Sequence, residues 1–427
     1  MTALVDDLDQ RGLIHDTTDR AALTRRIAEG PITLYYGCDP TAPSLHHGNL
    51  IGLLMLRRFQ DAGHRPLALA GGATGMIGDP GGRSEERNLL DLETLAVNVE
   101  AIKGQIARIL GPEGPWKLVD NLAWTGGLRL LDFLRDVGKH VTVNQMVARE
   151  SVRARMASEH GISYTEFSYM LLQANDYAWL HEHEGCELQI GGSDQWGNIL
   201  SGVDLIRRRR GAIAHGLCWP LLTAADGTKL GKTTGARVWL DPEVTSPYAF
   251  YQHWMATGDA DLRRMLAQFT LLPMAEVDAL VTAHAEAPGR RVGQRALAGA
   301  VTELVHGPKA AAAARQAATV LFGGDPRDAT ADALAAVAAE VPTVGLLEGE
   351  SLGRGVDLGP VLVRSGLADS QGDARRHLQQ GGVSVNGTKA EPGRLLTEAD
   401  LLQGRWVLVR KGKRDWAVVD LAARDGM

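Results

Sequence analysis

Between residues 34 and 222, short apolar runs closed by glycine or polar residues alternate with longer segments whose apolar side chains recur at helical spacing. Short strands joined by helices predict a mostly parallel α/β sheet. Ligands in such sheets bind outside the carboxyl ends of the strands. A site is therefore expected on the loops after Leu34-Tyr35, after Ala70, after Leu188-Gln189-Ile190 and after Trp219-Pro220-Leu221-Leu222.

The first loop is the most informative. Leu34 to Cys38 reads as a buried strand, which Asp39-Pro40-Thr41-Ala42-Pro43-Ser44 breaks. Helical spacing starts at Leu50 and ends before Gly63. His46 and Asn49 then stand at a helix entrance, where backbone N–H groups are free and the dipole favours an anion. A protonatable imidazole beside an amide donor suits a polyphosphate, and Gly48 leaves room for a flat ring against the backbone. The competing reading is that His46 only caps the helix.

The loop after Ala70 is rich in glycine around a lone carboxylate, Asp79, with Arg83 and Arg87 following, and reads as a ligand loop. Phe167 to Leu180 predicts a helix with Tyr169, Gln173 and Asp176 along one face. That stripe is either a closed internal network or a pocket wall. In a pocket, Asp176 would accept from a hydroxyl while Tyr169 and Gln173 meet an ammonium. After Ile190, Gly191-Gly192-Ser193 leads to Asp194, expected as a helix cap, and to Gln195, suited to a sugar or a carboxylate. Lys229, Lys232, Thr233 and Thr234 follow an Asp226-Gly227 turn. Such a segment is either a solvated turn or a clamp for phosphate charge that spreads in a transition state.

The net charge of −6 at first argues against a nucleic-acid partner. The charge is uneven. Leu358 to Met427 holds eleven Lys or Arg against eight Asp or Glu, a net +3, which leaves −9 elsewhere. A mildly basic tail on an acidic body suits one polyanion-binding module. Arg207 to Arg210 reads as a basic helix end. Three distant cysteines, Cys38, Cys186 and Cys218, argue against a disulfide framework and for a reducing cytoplasm. His181, His183 and Cys186 lack a fourth zinc ligand at a standard spacing and are expected on an exposed turn. No run is apolar enough to span a bilayer, and the acidic N-terminus lacks a signal pattern. Leu130, Leu131, Phe133, Leu134 and Val137 predict a strongly apolar helix, either core or subunit contact.

Taken in order, Asp39-Pro40-Thr41, His46-His47-Gly48-Asn49, Gly78-Asp79-Pro80, Tyr169/Gln173/Asp176, Gly192-Ser193-Asp194-Gln195-Trp196-Gly197-Asn198 and Lys229-Leu230-Gly231-Lys232-Thr233 resemble bacterial tyrosyl-tRNA synthetases over nearly the whole chain. His46 to Asn49 stands where that family has His-Ile-Gly-His, with Asn for the last His. Lys229 to Thr233 stands for Lys-Met-Ser-Lys-Ser, and Arg83 takes the place of a lysine in the mobile glycine loop. The resemblance implies an α/β fold with a Rossmann-like parallel-sheet catalytic domain, a helical anticodon-arm domain and a small α+β S-four-like RNA-binding domain at the C-terminus.

By the same resemblance, Tyr35, Asp79, Tyr169, Gln173, Asp176 and Gln195 hold tyrosine, with Tyr35 and Asp176 on the phenol and Asp79 near the amino group. Asp39, Thr41, His46, Gly48, Asn49, Gly192, Asp194 and Lys232 line the ATP site. His46, Asn49, Lys229, Lys232 and Thr233 act in catalysis. Magnesium would ride on the ATP phosphates, with no tightly bound cofactor and no protein metal site. The partners implied are tRNA(Tyr), L-tyrosine, ATP and a second copy in a homodimer, with no membrane.

The domains expected are residues 1–225 (catalytic, with a dimer-forming insertion), 226–323 (lysine loop and anticodon-arm helices), 324–357 (a linker, from its glycines) and 358–427 (the RNA-binding module). In the last of these, Arg375, Arg376 and Lys389 would face RNA phosphates, with Arg405, Arg410, Lys411, Lys413 and Arg414 extending the basic face. Two rival readings stay open: a tryptophanyl relative, and an RNA-binding regulator with a decayed catalytic body. A hydroxyl-accepting Asp176 and the RNA-binding tail oppose the first. Retained His46, Asp194, Lys229 and Lys232 oppose the second.

Overall fold

A computed structural model describes residues 3–79, 90–157, 161–222 and 237–423. Six strands form the first sheet: β1 (Asp16–Thr17), β2 (Thr33–Cys38), β3 (Arg65–Ala70), β4 (Lys117–Asp120), β5 (Cys186–Gly192) and β6 (His215–Trp219). Their spatial order is β1-β6-β5-β2-β3-β4. The five strands β2 to β6 run parallel, and β1 pairs antiparallel with β6 at the edge.

The order reverses between β2 and β5, so the carboxyl ends of these two neighbours open into one crevice, as expected for open α/β sheets. β2 is buried at Leu34, Tyr35 and Cys38 because sheet and helix cover both its faces. The helix after it, His47–Asp61, buries Leu50, Ile51, Leu53, Leu54 and Phe59. The helix Tyr164–His183 packs Met170, Leu171, Ala174 and Tyr177 into the core on the other side.

Three local expectations need correction. Residues 1–33, whose Leu23, Ile27 and neighbouring charges up to Gly30-Pro31 read as helical in the sequence, form two helices, Ala3–Gln10 and Arg20–Glu29, with β1 between them. The N–H of His15 donates to the Cys218 carbonyl and that of Thr18 to the Gly216 carbonyl, so this segment is drawn onto the sheet edge. His181, His183 and Cys186 do not share an exposed turn. Both histidines end the long helix, Cys186 is buried at the start of β5, and His183 stacks on Trp179 at 4.3 Å. Among the described residues no three His, Cys, Asp or Glu are grouped to hold a metal. Asp194 does not hold the cap position: Ser193–Gln195 is a single 3-10 turn, and Gln195 occupies the cap position of the helix Trp196–Arg210. That helix carries Arg207 to Arg210 in its last turn and ends on Gly211 at φ 63°, as a basic helix end should.

The chain divides into two compact units, one of 1–245 with 257–297, the other of 246–256 with 298–427. In the first, the helices Leu262–Phe269 and Met274–Glu286 belong with the sheet. Buried Arg58 donates to the Thr270 carbonyl (2.6 Å) and buried Arg11 to those of Ala267 and Leu272 (2.9 and 2.8 Å), which satisfies helix-end acceptors.

In the second unit, five strands lie in the order Thr388–Lys389, Val383–Val385, Trp406–Lys411, Asp415–Asp420, Thr343–Val344. The helices Leu358–Arg364 and Gln371–Gln379 bury Val361, Leu362 and Leu378 in a common core with Val383, Val407 and Val409. Asn386 and Gly387 turn the first hairpin at φ 46° and 81°, the conformation that favours Asn-Gly. Residues 324–357, read as a linker, contain the helix Ala331–Glu340. Its Ala333, Leu334 and Val337 are fully buried against Leu408 and Val418.

Candidate active site

A cavity of about 530 Å³ opens at the carboxyl ends of β2 and β5. Its walls bring together Tyr35, Asp39, Thr41, His46, Gly48, Asn49, Asp79, Tyr169, Gln173, Asp176, Gly192, Asp194 and Gln195. Lys229, Lys232 and Thr233, with Arg83 and Arg87, lie outside the described residues.

One end of the cavity is polar and buried. Asp176 is buried, and its two carboxylate oxygens accept from Asn121 Nδ2 (2.9 Å) and Trp124 Nε1 (2.8 Å). Burial pushes this carboxyl up to about 7, against the pull of those two donors. Among the described residues the Tyr35 hydroxyl is buried without a partner, as is Gln173 Oε1. An unmet buried polar group is costly, so a ligand that supplied the missing bonds would be stabilised here.

A chain of bonds joins the two carboxylates of the cavity floor. Asn121 Nδ2 also donates to Thr74 Oγ1 (2.9 Å), Thr74 Oγ1 donates to Asp39 Oδ1 (2.8 Å), and the Tyr169 hydroxyl donates to Asp39 Oδ2 (2.9 Å). Asn121 Oδ1 is itself held by the N–H of Ala73 (2.7 Å). On the opposite wall Gln195 Nε2 donates to Asp79 Oδ2 (2.6 Å), and Gln195 Oε1 accepts from Asn198 (3.0 Å).

The other end lies at the entrance of the helix His47–Asp61. His46 Nδ1 accepts the N–H of Gly48 (3.0 Å), and Asn49 Oδ1 accepts the N–H of His46 (3.2 Å), a reciprocal cap. Capping and ligand binding are thus compatible: with Nδ1 accepting, a neutral ring carries its proton on Nε2 and can donate from there. Burial, then the charges of His47 and Arg237, push the His46 imidazole down to about 4. The protonatable imidazole read from the sequence is therefore a neutral donor at neutral pH. Gly48 does admit a flat ring, but that ring is His46 itself: a Cβ at Gly48 would lie 2.8 Å from His46 Cε1.

Several residues here carried no sequence signal. Asn121 and Trp124 follow β4, whose loop was not among the expected seats, although Asp120-Asn121 at a strand end was a usable clue. Tyr36 also lines the cavity, edge-on to Trp219 at 5.6 Å, and its ring occupies the space a Cβ at Gly52 would need, 2.3 Å from Cζ. Trp239 stands edge-on to His46 at 6.1 Å.

The parallel sheet with its crevice and helix-entrance histidine matches the family described as tRNA synthetases class I (W and Y) over residues 28–323, so the class is that of class I aminoacyl-tRNA synthetases. Residues 334–419 match a tyrosine–tRNA ligase C-terminal domain. The chain is 52% identical to the tyrosine–tRNA ligase of Opitutus terrae over 98% of its length and 99% of the relative's. It is 50% identical to that of Roseiflexus castenholzii, over 99% of this chain and 100% of the other. Among solved structures, a C-terminally truncated mitochondrial tyrosyl-tRNA synthetase of Aspergillus nidulans superposes with a TM-score of 0.68 at 33% identity, covering 75% of this chain and 94% of that one. The chain belongs to the tyrosine–tRNA ligases.

Proposed function

We propose that this ligase seats tyrosine in the buried end of the cavity and ATP along the helix entrance, so that the amino acid's carboxylate meets the α-phosphate between them. The observation that carries the reading is the Asp176 carboxylate beside the unpartnered Tyr35 hydroxyl. A phenol there would donate to Asp176 and accept from Tyr35. Phenylalanine would leave both unmet, which is how a hydrogen-bonding slot rejects an analogue lacking the hydroxyl. Tyr169, Gln173, Asp79 and Gln195 would face the ammonium and the carboxylate. Asp39, Thr41, Gly48, Gly192 and Asp194 would line the nucleotide.

The tyrosine carboxylate is already a nucleophile, so no general base is required. It attacks the α-phosphorus in line, the bond to the bridging oxygen breaks, and pyrophosphate departs, leaving tyrosyl-adenylate. The protein's part is positioning and charge stabilisation. His46 and Asn49 would donate to phosphate oxygens, while Lys229, Lys232 and Thr233 close from the other side. Magnesium would travel on the nucleotide phosphates, with no tightly bound cofactor. A tRNA 3′-hydroxyl then takes the tyrosyl group.

Arg375, Arg376 and Lys389, all exposed, would bind tRNA(Tyr) phosphates. Residues 226–323 would carry the lysine loop and the helices that meet the anticodon arm. We further infer a homodimer: the helix Leu130–Asp136 leaves Leu130 70% and Leu131 77% exposed, an apolar surface that a second copy would cover. Among the described residues no helix is long and apolar enough to cross a membrane, and the free cysteines suit a cytoplasmic enzyme.

Tyrosine-dependent ATP–pyrophosphate exchange tests the reading. Exchange driven by tryptophan instead would assign the chain to the relative. No exchange with either would leave an RNA-binding regulator.

A further inference from the structure

Three hydrogen bonds fasten the segment 237–241 to the turn that carries His46. The N–H of His47 donates to the Val238 carbonyl (3.0 Å), that of Leu240 to the Leu45 carbonyl (2.8 Å) and that of Asp241 to Ser44 Oγ (3.0 Å). Trp239 pairs with His46 as an isolated bridge and presents its ring edge to the imidazole. Arg237 lies on the cavity wall, exposed at its mouth, with its guanidinium 5.9 Å from the centre of the Trp239 ring. Among the described residues no carboxylate pairs with it.

A guanidinium whose backbone is tied to this turn, lying over an indole and paired with no carboxylate among the described residues, is arranged for an oxyanion. It is close enough to His46 for its charge to disfavour the imidazolium. The α-phosphate must lie inward, against the amino acid, so the terminal phosphates point to the mouth where Arg237 stands.

We propose that Arg237 is a further phosphate-contacting residue of this ligase, binding the β- or γ-phosphate of ATP alongside His46. The proposal rests on the reading that ATP occupies this cavity. The indole beneath it favours a cation at this position.

The test compares Arg237→Gln and Arg237→Lys with the unaltered protein in tyrosine-dependent ATP–pyrophosphate exchange. R237Q is expected to raise KM for ATP about tenfold, the scale of one charge-assisted bond, with KM for tyrosine unchanged and R237K recovering part of the loss. Inhibition by added pyrophosphate should weaken by a similar factor. The acid limb of the pH–rate profile should move upward in R237Q, because a neighbouring positive charge is gone. An unchanged KM for ATP would overturn the proposal. So would a rise shared equally by tyrosine, which marks general damage, or a loss confined to the tRNA-charging step, which assigns the residue to tRNA. No tyrosine-dependent exchange in the unaltered protein is a different result: it defeats the underlying reading and the proposal with it.

Discussion

The chemistry of the cavity turns on the ionisation of one carboxyl. Asp176 is raised from an ordinary value of 3.8 to about 7 by burial, so folding takes up a proton between those two values. Stability attributable to this group is present at low pH and is lost as pH rises through the window toward 7. Asp176→Asn should therefore make urea unfolding more resistant at neutral pH and flatten its pH dependence, while lowering kcat/KM for tyrosine by about tenfold to a hundredfold. In the unaltered protein, tyrosine affinity measured by calorimetry should strengthen as pH rises through about 7, because the ionised form accepts the phenol. His46, held near 4, is neutral at neutral pH, and the rate of adenylate formation should show no imidazole titration near 6.5. Glycine at 52 is required by the Tyr36 ring, so Gly52→Ala should displace that ring and raise KM for ATP more than KM for tyrosine.

At the scale of elements, the features legible in the sequence were those with a period or a local signature. The strand, polar loop and helix of residues 34–61 announce themselves by a change of spacing, and Tyr169, Gln173 and Asp176 share a face because a helix repeats every 3.6 residues. Asn121 and Trp124 do not, because they reach Asp176 across more than fifty residues and only tertiary packing joins them. β1 is two residues long and has no period to detect. The helix Ala331–Glu340 was masked by the glycines around it. Its burial makes it structural, and Leu334→Ala should cost about 2–5 kcal/mol in denaturant unfolding. The helix Leu130–Asp136 makes the opposite case, with leucines in solvent. If a second copy covers this face as proposed, Leu131→Asp should shift the protein toward monomer in sedimentation without lowering its melting temperature.

For the whole molecule, the proposed reading has activation and tRNA phosphate binding draw on separate sets of residues. The cavity lies entirely in the first compact unit, whereas Arg375, Arg376 and Lys389 belong to the second. Replacing these three with alanine should weaken tRNA binding in a salt-dependent way and leave ATP–pyrophosphate exchange unchanged. A continuous hydrogen-bonded floor runs from Asp176 through Asn121 and Thr74 to Asp39, and on the proposed reading it would fix the slot for the phenol relative to the cleft for phosphate. The most direct measurement is a crystal structure of the protein with tyrosine bound. The phenol oxygen should lie within hydrogen-bond distance, about 2.5–3.0 Å, of both the Asp176 carboxylate and the Tyr35 hydroxyl, with the tyrosine carboxylate toward His46. A ring hydroxyl found away from these two groups, or pointing to the cavity mouth, would contradict the account.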